Sequence, residues 1–286
     1  MAKGLFLRSA AIFEEIGDAL GSALAIRGLG YLARMHGQHD EATAHYEAAL
    51  KVFREGDGSV AVAYVLHNLA QLRLDSGDEA AAGPLLEEAL RLSRQGNGRR
   101  VEAQVLHRLG QTHVNRGDHE AALEVYGQVL EIVQLIGDHT GEAYALHGLG
   151  SVRLRRGETE EAAEALHRAL ARAEANDERL IMARTLVTLG ELALATSATS
   201  EAAAHLRRAL LLIRLMNAPA EEAEALVLLH AVHRAAGDSE AAGQALAEAR
   251  ELVSSMPPEA AGLVLLRLRE TEEGTSTAYV TTKAAE

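Results

Sequence analysis

"ALHGLGSVRLRRG", residues 145–157, holds a Gly-x-Gly, a histidine and a short basic run. Taken alone, it could grip a phosphate or ligate a metal. Forty residues upstream the chain reads "VLHRLGQTHVNRG" (105–117), and forty before that "VLHNLAQLRLDSG" (65–77). The stretch is one copy of a repeat.

In blocks of forty, Leu29, Leu69, Leu109, Leu149, Leu189 and Leu229 share a column, followed by Gly30, Ala70, Gly110, Gly150, Gly190 and His230. Alanine stands six residues before each leucine, from Ala23 to Ala223. Eight residues after it come Gly37, Gly77, Gly117, Gly157, Ser197 and Gly237, then an alanine column from Ala42 to Ala242. Six ungapped copies at one fixed period mark tandem supersecondary units.

Within a copy the apolar spacing is helical. Ala23, Ile26, Leu29 and Gly30 make one stripe; Ala42, Tyr46, Ala49 and Leu50 make a second. Glycine in the intervening "HGQHD" (36–40) or "RGDHE" (116–120) supplies a left-handed residue that ends one helix, and a nearby aspartate can cap the next. A second turn closes each copy near residues 56, 96, 137 and 176. Each copy is therefore predicted to be an antiparallel pair, helix A then helix B. The small residue after the leucine lets the two lie at the short end of the usual ~8–10 Å separation. One pair cannot bury its own apolar face, so the pairs must stack.

This periodicity answers the Gly-x-Gly question. Gly148 and Gly150, like Gly28 and Gly30, fall inside helix A, where their N–H groups are already bonded. A phosphate loop needs glycine between a strand and a helix start. No G-x-x-x-x-G-K-[ST] occurs in the chain.

Composition agrees with closely packed helices: aromatics are 3% of 286 residues, tryptophan is absent and there are four prolines. A net charge of −13 argues against a nucleic-acid footprint, which needs a basic face. With no cysteine, disulfides, thiolate zinc sites and cysteine nucleophiles are excluded, and a cytoplasmic location is expected. No apolar run approaches the ~20 residues that span a bilayer, and the start turns acidic where a signal peptide stays apolar. No membrane association is expected.

The columns resemble the tetratricopeptide repeat, whose pattern runs bulky residue, two spaces, Leu-Gly, then Ala, three spaces, an aromatic, and Ala. Ile26, Leu29, Gly30, Ala42, Tyr46 and Ala49 match it in copy one; Leu106, Leu109, Gly110, Ala122 and Tyr126 match in copy three. The resemblance covers residues 19–254. Ile or Leu replaces the customary tryptophan, the closing proline is missing, and the period is 40 in place of about 34. In these features the chain is similar to the C-terminal sensor regions of actinobacterial transcriptional activators and related signalling ATPases, and to animal spindle-orientation scaffolds. HEAT repeats can share the period but lack these columns in this order.

The resemblance implies an all-α, right-handed superhelical solenoid. Its concave face, lined by the A helices, would hold a protein or peptide ligand, with no cofactor and no enzymatic activity. It leaves open a sensory or autoregulatory module of a larger bacterial regulator, with its partner in the same polypeptide. Carried over copy by copy, the concave positions are Arg27, Tyr31 and Arg34; Tyr64, His67 and Gln71; Gln104, His107, Gln111 and Asn115; and Tyr144, His147, Ser151 and Arg155. Met35 and Asp75 belong to the same face. In copies five and six Arg184, Glu191, Glu224 and Arg234 sit among blander residues (Val187, Leu194, Val227, Ala231, Ala235), so polar recognition is expected in copies one to four.

His67, His107 and His147 form a column, but equivalent positions lie about 10 Å apart. Metal donors converge at ~2.0–2.1 Å, so no shared metal site is expected. The acid pairs Glu160/Glu161 and Glu221/Glu222 stand at helix starts, where the dipole favours them. Nothing in the sequence assembles a nucleophile, a base and an orienting group.

The division expected is a partial repeat or cap helix over 1–18, six helix pairs over 19–256, a capping helix over 257–272 and a disordered tail over 273–286. Leu263, Leu265 and Leu266 are expected to cover the last pair while Arg267 and Arg269 face water. Two features of copy five stand out. Ser197 replaces the turn glycine, at a cost of ~1 kcal/mol if φ is positive. "ALLLIRLM" (209–216) is apolar nearly all round, which fits a helix buried between neighbours or a self-association patch.

Overall fold

A computed structural model describes residues 2–56, 58–256, 261–262, 264–265 and 267–269. Among these, every regular element is an α-helix. In chain order they are α1 (Ala2–Glu15), α2 (Ala19–Met35), α3 (His39–Glu55), α4 (Ser59–Asp75), α5 (Glu79–Gln95), α6 (Arg99–Arg116) and α7 (His119–Leu135). There follow α8 (His139–Arg155), α9 (Thr159–Ala175), α10 (Arg179–Ala195), α11 (Thr199–Met216), α12 (Pro219–Ala235) and α13 (Ser239–Ser254). Even-numbered helices are the A helices of the repeat, and odd-numbered ones from α3 on are the B helices. The helices fall into two compact units: one lies within Met1–Ala121 and Glu131–Ile136, the other within Ala122–Leu130 and Gly137–Glu286.

The A-to-B turns explain why each pair closes where it does. Gly37, Gly77, Gly117, Gly157 and Gly237 have φ of 71–79°, and Ser197 adopts 62°. This left-handed residue turns the next N–H back onto the helix: Asp78 N donates to Arg73 O at 2.8 Å and Ala198 N to Ala193 O at 2.8 Å. The B-to-A turns use Gly17, Asn97, Gly137, Asp177 and Asn217 in the same conformation. Asp18, Asp78, Asp138 and Asp238 each accept from the backbone N–H three residues on, at 2.9–3.0 Å. Asp118 does not cap α7; its carboxylate lies 3.7 Å from His113 Nδ1.

Small residues set the helix spacing. In the first unit, a Cβ on Gly30 would stand 2.7 Å from the Tyr46 ring, and one on Gly28 2.4 Å from Phe6. In the second, a Cβ on Gly150 would stand 2.6 Å from Leu166 of its own B helix, and one on Gly148 2.6 Å from the Tyr126 ring. So the Gly-x-Gly packs one glycine on each flanking B helix. The alanine columns carry the close contacts: Ala23, Ala42, Ala49, Ala63 and Ala82 are buried in the first core, Ala162, Ala202, Ala209 and Ala223 in the second.

At the start of the chain α1 packs Phe6, Ala10 and Phe13 towards α2 and leaves Leu5, Ile12 and Ile16 exposed. Beyond α13, the described residues between 261 and 269 are helical, and Ala261, Val264 and Leu268 join the second core. Cover for the last pair thus comes from Val264 and Leu268. Leu265 is exposed, and Leu263, Leu266 and the 273–286 tail lie outside the described residues. The "ALLLIRLM" stretch is split: Ala209, Leu210 and Ile213 are buried, while Leu211 and Leu215 face out at 64% and 72% exposure. No helix among the described residues is long and apolar enough to cross a membrane.

Candidate interaction face

In the first unit, the face of α2, α4 and α6 opposite their B-helix contacts carries three linked groups of side chains. The Arg27 guanidinium lies over the Tyr64 ring, 5.2 Å from its centroid. Arg34 lies 5.8 Å from the Tyr31 centroid and pairs with Asp75 at 2.9 Å. Stacking of this kind holds a cation in place without neutralising it. Tyr31 itself is half exposed.

The third group is built around Gln71. With its amide oxygen towards Arg108, it accepts from Arg108 Nε at 3.0 Å, Arg108 Nη2 at 2.8 Å and His67 Nε2 at 3.1 Å. Arg108 Nη1 also donates to Gln111 Oε1 at 2.7 Å. His67 is buried beneath this network, and burial, with the Arg108 and Arg34 charges, lowers its pKa to about 3. It is neutral at physiological pH, so the cations of this face are guanidiniums. Gln104 is exposed, His107 is partly buried, and Asn115 turns to Glu79 at 3.5 Å. The fold thus gathers Arg27, Tyr31, Arg34, Tyr64, His67, Gln71 and Gln111, and leaves Gln104 and Asn115 outside these groups.

Arg108 went unread in the sequence. It occupies the column of Gly28 and Gly148, which is a packing column. A long side chain there can run along the helix and present its guanidinium at the edge. The polar residues Asn68, Arg108 and Thr188 in that column were the available signal.

In the second unit, α8, α10, α11 and α12, with Val264 and Arg267, line a half-open pocket of about 560 Å³. His147, Ser151 and Arg155 line one side. His147 Nε2 lies 3.3 Å from Thr188 Oγ1, and burial, then the Arg184 charge, lowers its pKa to about 4. Tyr144 packs beside Ala143, Ala173 and Ile181. Glu191 and Glu224 line the far side with Arg267, which lies 3.5 Å from Glu224 and so does not simply face water. Burial raises the pKa of both carboxyls. Copies five and six, expected to be bland, therefore contribute the acids of this pocket. Among the described residues no three His, Asp or Glu side chains converge on a point that could hold a metal ion.

Family comparison matches the tetratricopeptide repeat model over residues 28–95, 59–135, 101–175 and 141–212. Comparison with curated protein sequences finds no match. Solved structures share the fold at low identity. BtubC from P. vanneervenii superposes with a TM-score of 0.63 at 19% identity, covering 88% of this chain and 96% of that one. A Rap protein complexed with competence and sporulation factor gives 0.66 at 15%, covering 90% and 75%. A signal transduction ATPase with a tetratricopeptide repeat sensor, from Pyrococcus horikoshii, gives 0.68 at 15%, covering 94% of this chain and 41% of that one.

Proposed function

We propose, since the chain belongs to the tetratricopeptide repeat family, that it is a non-catalytic scaffold holding a segment of a protein partner against the exposed face of its A helices. One observation carries this reading: guanidinium, ring and amide groups on α2, α4 and α6 are fixed in place by one another, with Tyr31 half exposed beside them. Groups fixed before binding lose little entropy on contact, and Tyr and Arg are the side chains that most often carry interface energy. The complex of a Rap protein with competence and sporulation factor is a case of this fold holding a ligand.

A second reading places the held segment in the same polypeptide, as part of a sensory or autoregulatory module. The repeat sensor of the signal transduction ATPase supports it.

Affinity capture from a lysate, with the triple variant Arg27→Ala/Tyr31→Ala/Gln111→Ala beside the wild type, tests both. A protein retained by the wild type and lost by the variant, at equal helical circular dichroism, is the expected result for a scaffold. Equal retention by both would overturn the role of this face. Capture of nothing by either favours the partner in cis.

A further inference from the structure

We propose that the pocket of the second unit takes a basic side chain of the bound segment, its aliphatic stem against Val187, Leu228 and Val264 and its cationic end beside Glu191 and Glu224. This rests on the scaffold reading and specifies one residue of what the scaffold holds.

The reason lies in how this chain treats its sheltered acids. Glu102 is buried and pairs with Arg94 at 2.9 Å and Arg99 at 3.0 Å. Glu142 is buried and pairs with Arg172 at 3.0 Å. Glu222 pairs with Arg214 at 2.5 Å. Glu191 breaks the pattern: it is partly buried and, among the described residues, forms no hydrogen bond or ion pair. The charges that act on it are those of Arg155 from α8, Arg267 from beyond α13 and Glu224 from α12, none of them in a direct pair with it. Arg267 lies 3.5 Å from Glu224, and of the cations acting on Glu191 Arg155 comes first and Arg267 second. A sheltered carboxylate with cations near it but none in direct contact favours the arrival of one.

The kind of cation follows from the walls. A divalent metal needs several donor side chains converging on one point, and among the described residues no three His, Asp or Glu do so. Apolar side chains beside the acids suit an organic cation on a hydrocarbon stem. Arg155 and Arg184 are exposed residues, so water and salt screen their opposition to a cation beside Glu191. At about 560 Å³ the pocket accommodates the side chain together with adjoining backbone.

The probes are N-acetyl-lysine, N-acetyl-norleucine and N-acetyl-glutamate N-methylamides, titrated into the ¹⁵N-labelled full chain and read by amide chemical shifts. The lysine compound is expected to shift α10 and α12 amides saturably, with the norleucine compound at least about tenfold weaker. Glu191→Gln, which keeps the shape and removes only the charge, is expected to lose the lysine preference. The Arg27→Ala/Tyr31→Ala/Gln111→Ala variant should retain it. Equal binding of norleucine, undiminished lysine binding by Glu191→Gln, or a preference for glutamate through the arginine rim would each overturn the proposal. If the lysine probe fails while the triple variant still loses a captured partner, only this pocket assignment falls. The reverse result removes the scaffold face and leaves the pocket.

Discussion

His67 is a histidine that the fold holds neutral. Its pKa is lowered from 6.5 to about 3 by burial and by the Arg108 and Arg34 charges. In the unfolded chain it takes up a proton near pH 6.5; in the fold it does so only near 3. Protonation therefore favours unfolding, and the stability present above 6.5 is lost as pH falls through that window. Between pH 7 and pH 5 this one group accounts for about 2 kcal/mol, at ~1.4 kcal/mol per pH unit. His67→Gln removes the titration and is expected to flatten the loss by that amount, read from urea unfolding at the two pH values. A variant as steep as the wild type would mean that His67 does not titrate below its usual range. At this scale the sequence was half legible. The forty-residue column put His67 on the A-helix face. Its burial went unread because the side chain that covers it, Arg108, stands in a column that otherwise packs helices.

Helix ends were the most legible elements, because turn chemistry is local. Glycine eight residues after the column leucine meant a left-handed turn in five copies, and it is one in all five. In copy five the geometry persists without the glycine: Ser197 has φ 62° and its N–H still donates to Leu194 O at 3.0 Å. The neighbouring helices impose the turn on a residue that disfavours it, at about 1 kcal/mol. Ser197→Gly is therefore expected to raise unfolding stability by about that much, and Gly157→Ser to lower it by a similar amount. Thermal melts of both variants check the pair. No gain in the first would mean that the serine conformation carries no strain. Capping was less legible, since it depends on what else the aspartate can reach: Asp78 and Asp138 cap their helices, whereas Asp118 turns towards His113.

At the scale of the molecule, repeat periodicity made the fold readable and hid the pocket for the same reason. A column compares like positions in successive copies, and the pocket is made of unlike ones: Arg155 late in α8, Glu191 late in α10, Glu224 early in α12, and Arg267 from beyond the last copy. Only stacking brings these together, so the pocket depends on the spacing of the pairs. Gly190 sets one such spacing, since a Cβ there would lie 2.8 Å from Leu206 Cγ, between α10 and α11. Gly190→Val should push α11 away from α10 and disturb the helices that pack against them, α8, α9 and α12. In an array stabilised by nearest-neighbour contacts, the damage fades with distance along the chain. Hydrogen exchange of Gly190→Val is expected to show lost amide protection in α9–α12, with α2–α5 retaining theirs, and the lysine probe should no longer shift the α10 amides. Uniform loss of protection from α2 onwards would instead mean that the chain unfolds as one block. The pocket would then depend on the whole array rather than on the local spacing that Gly190 maintains.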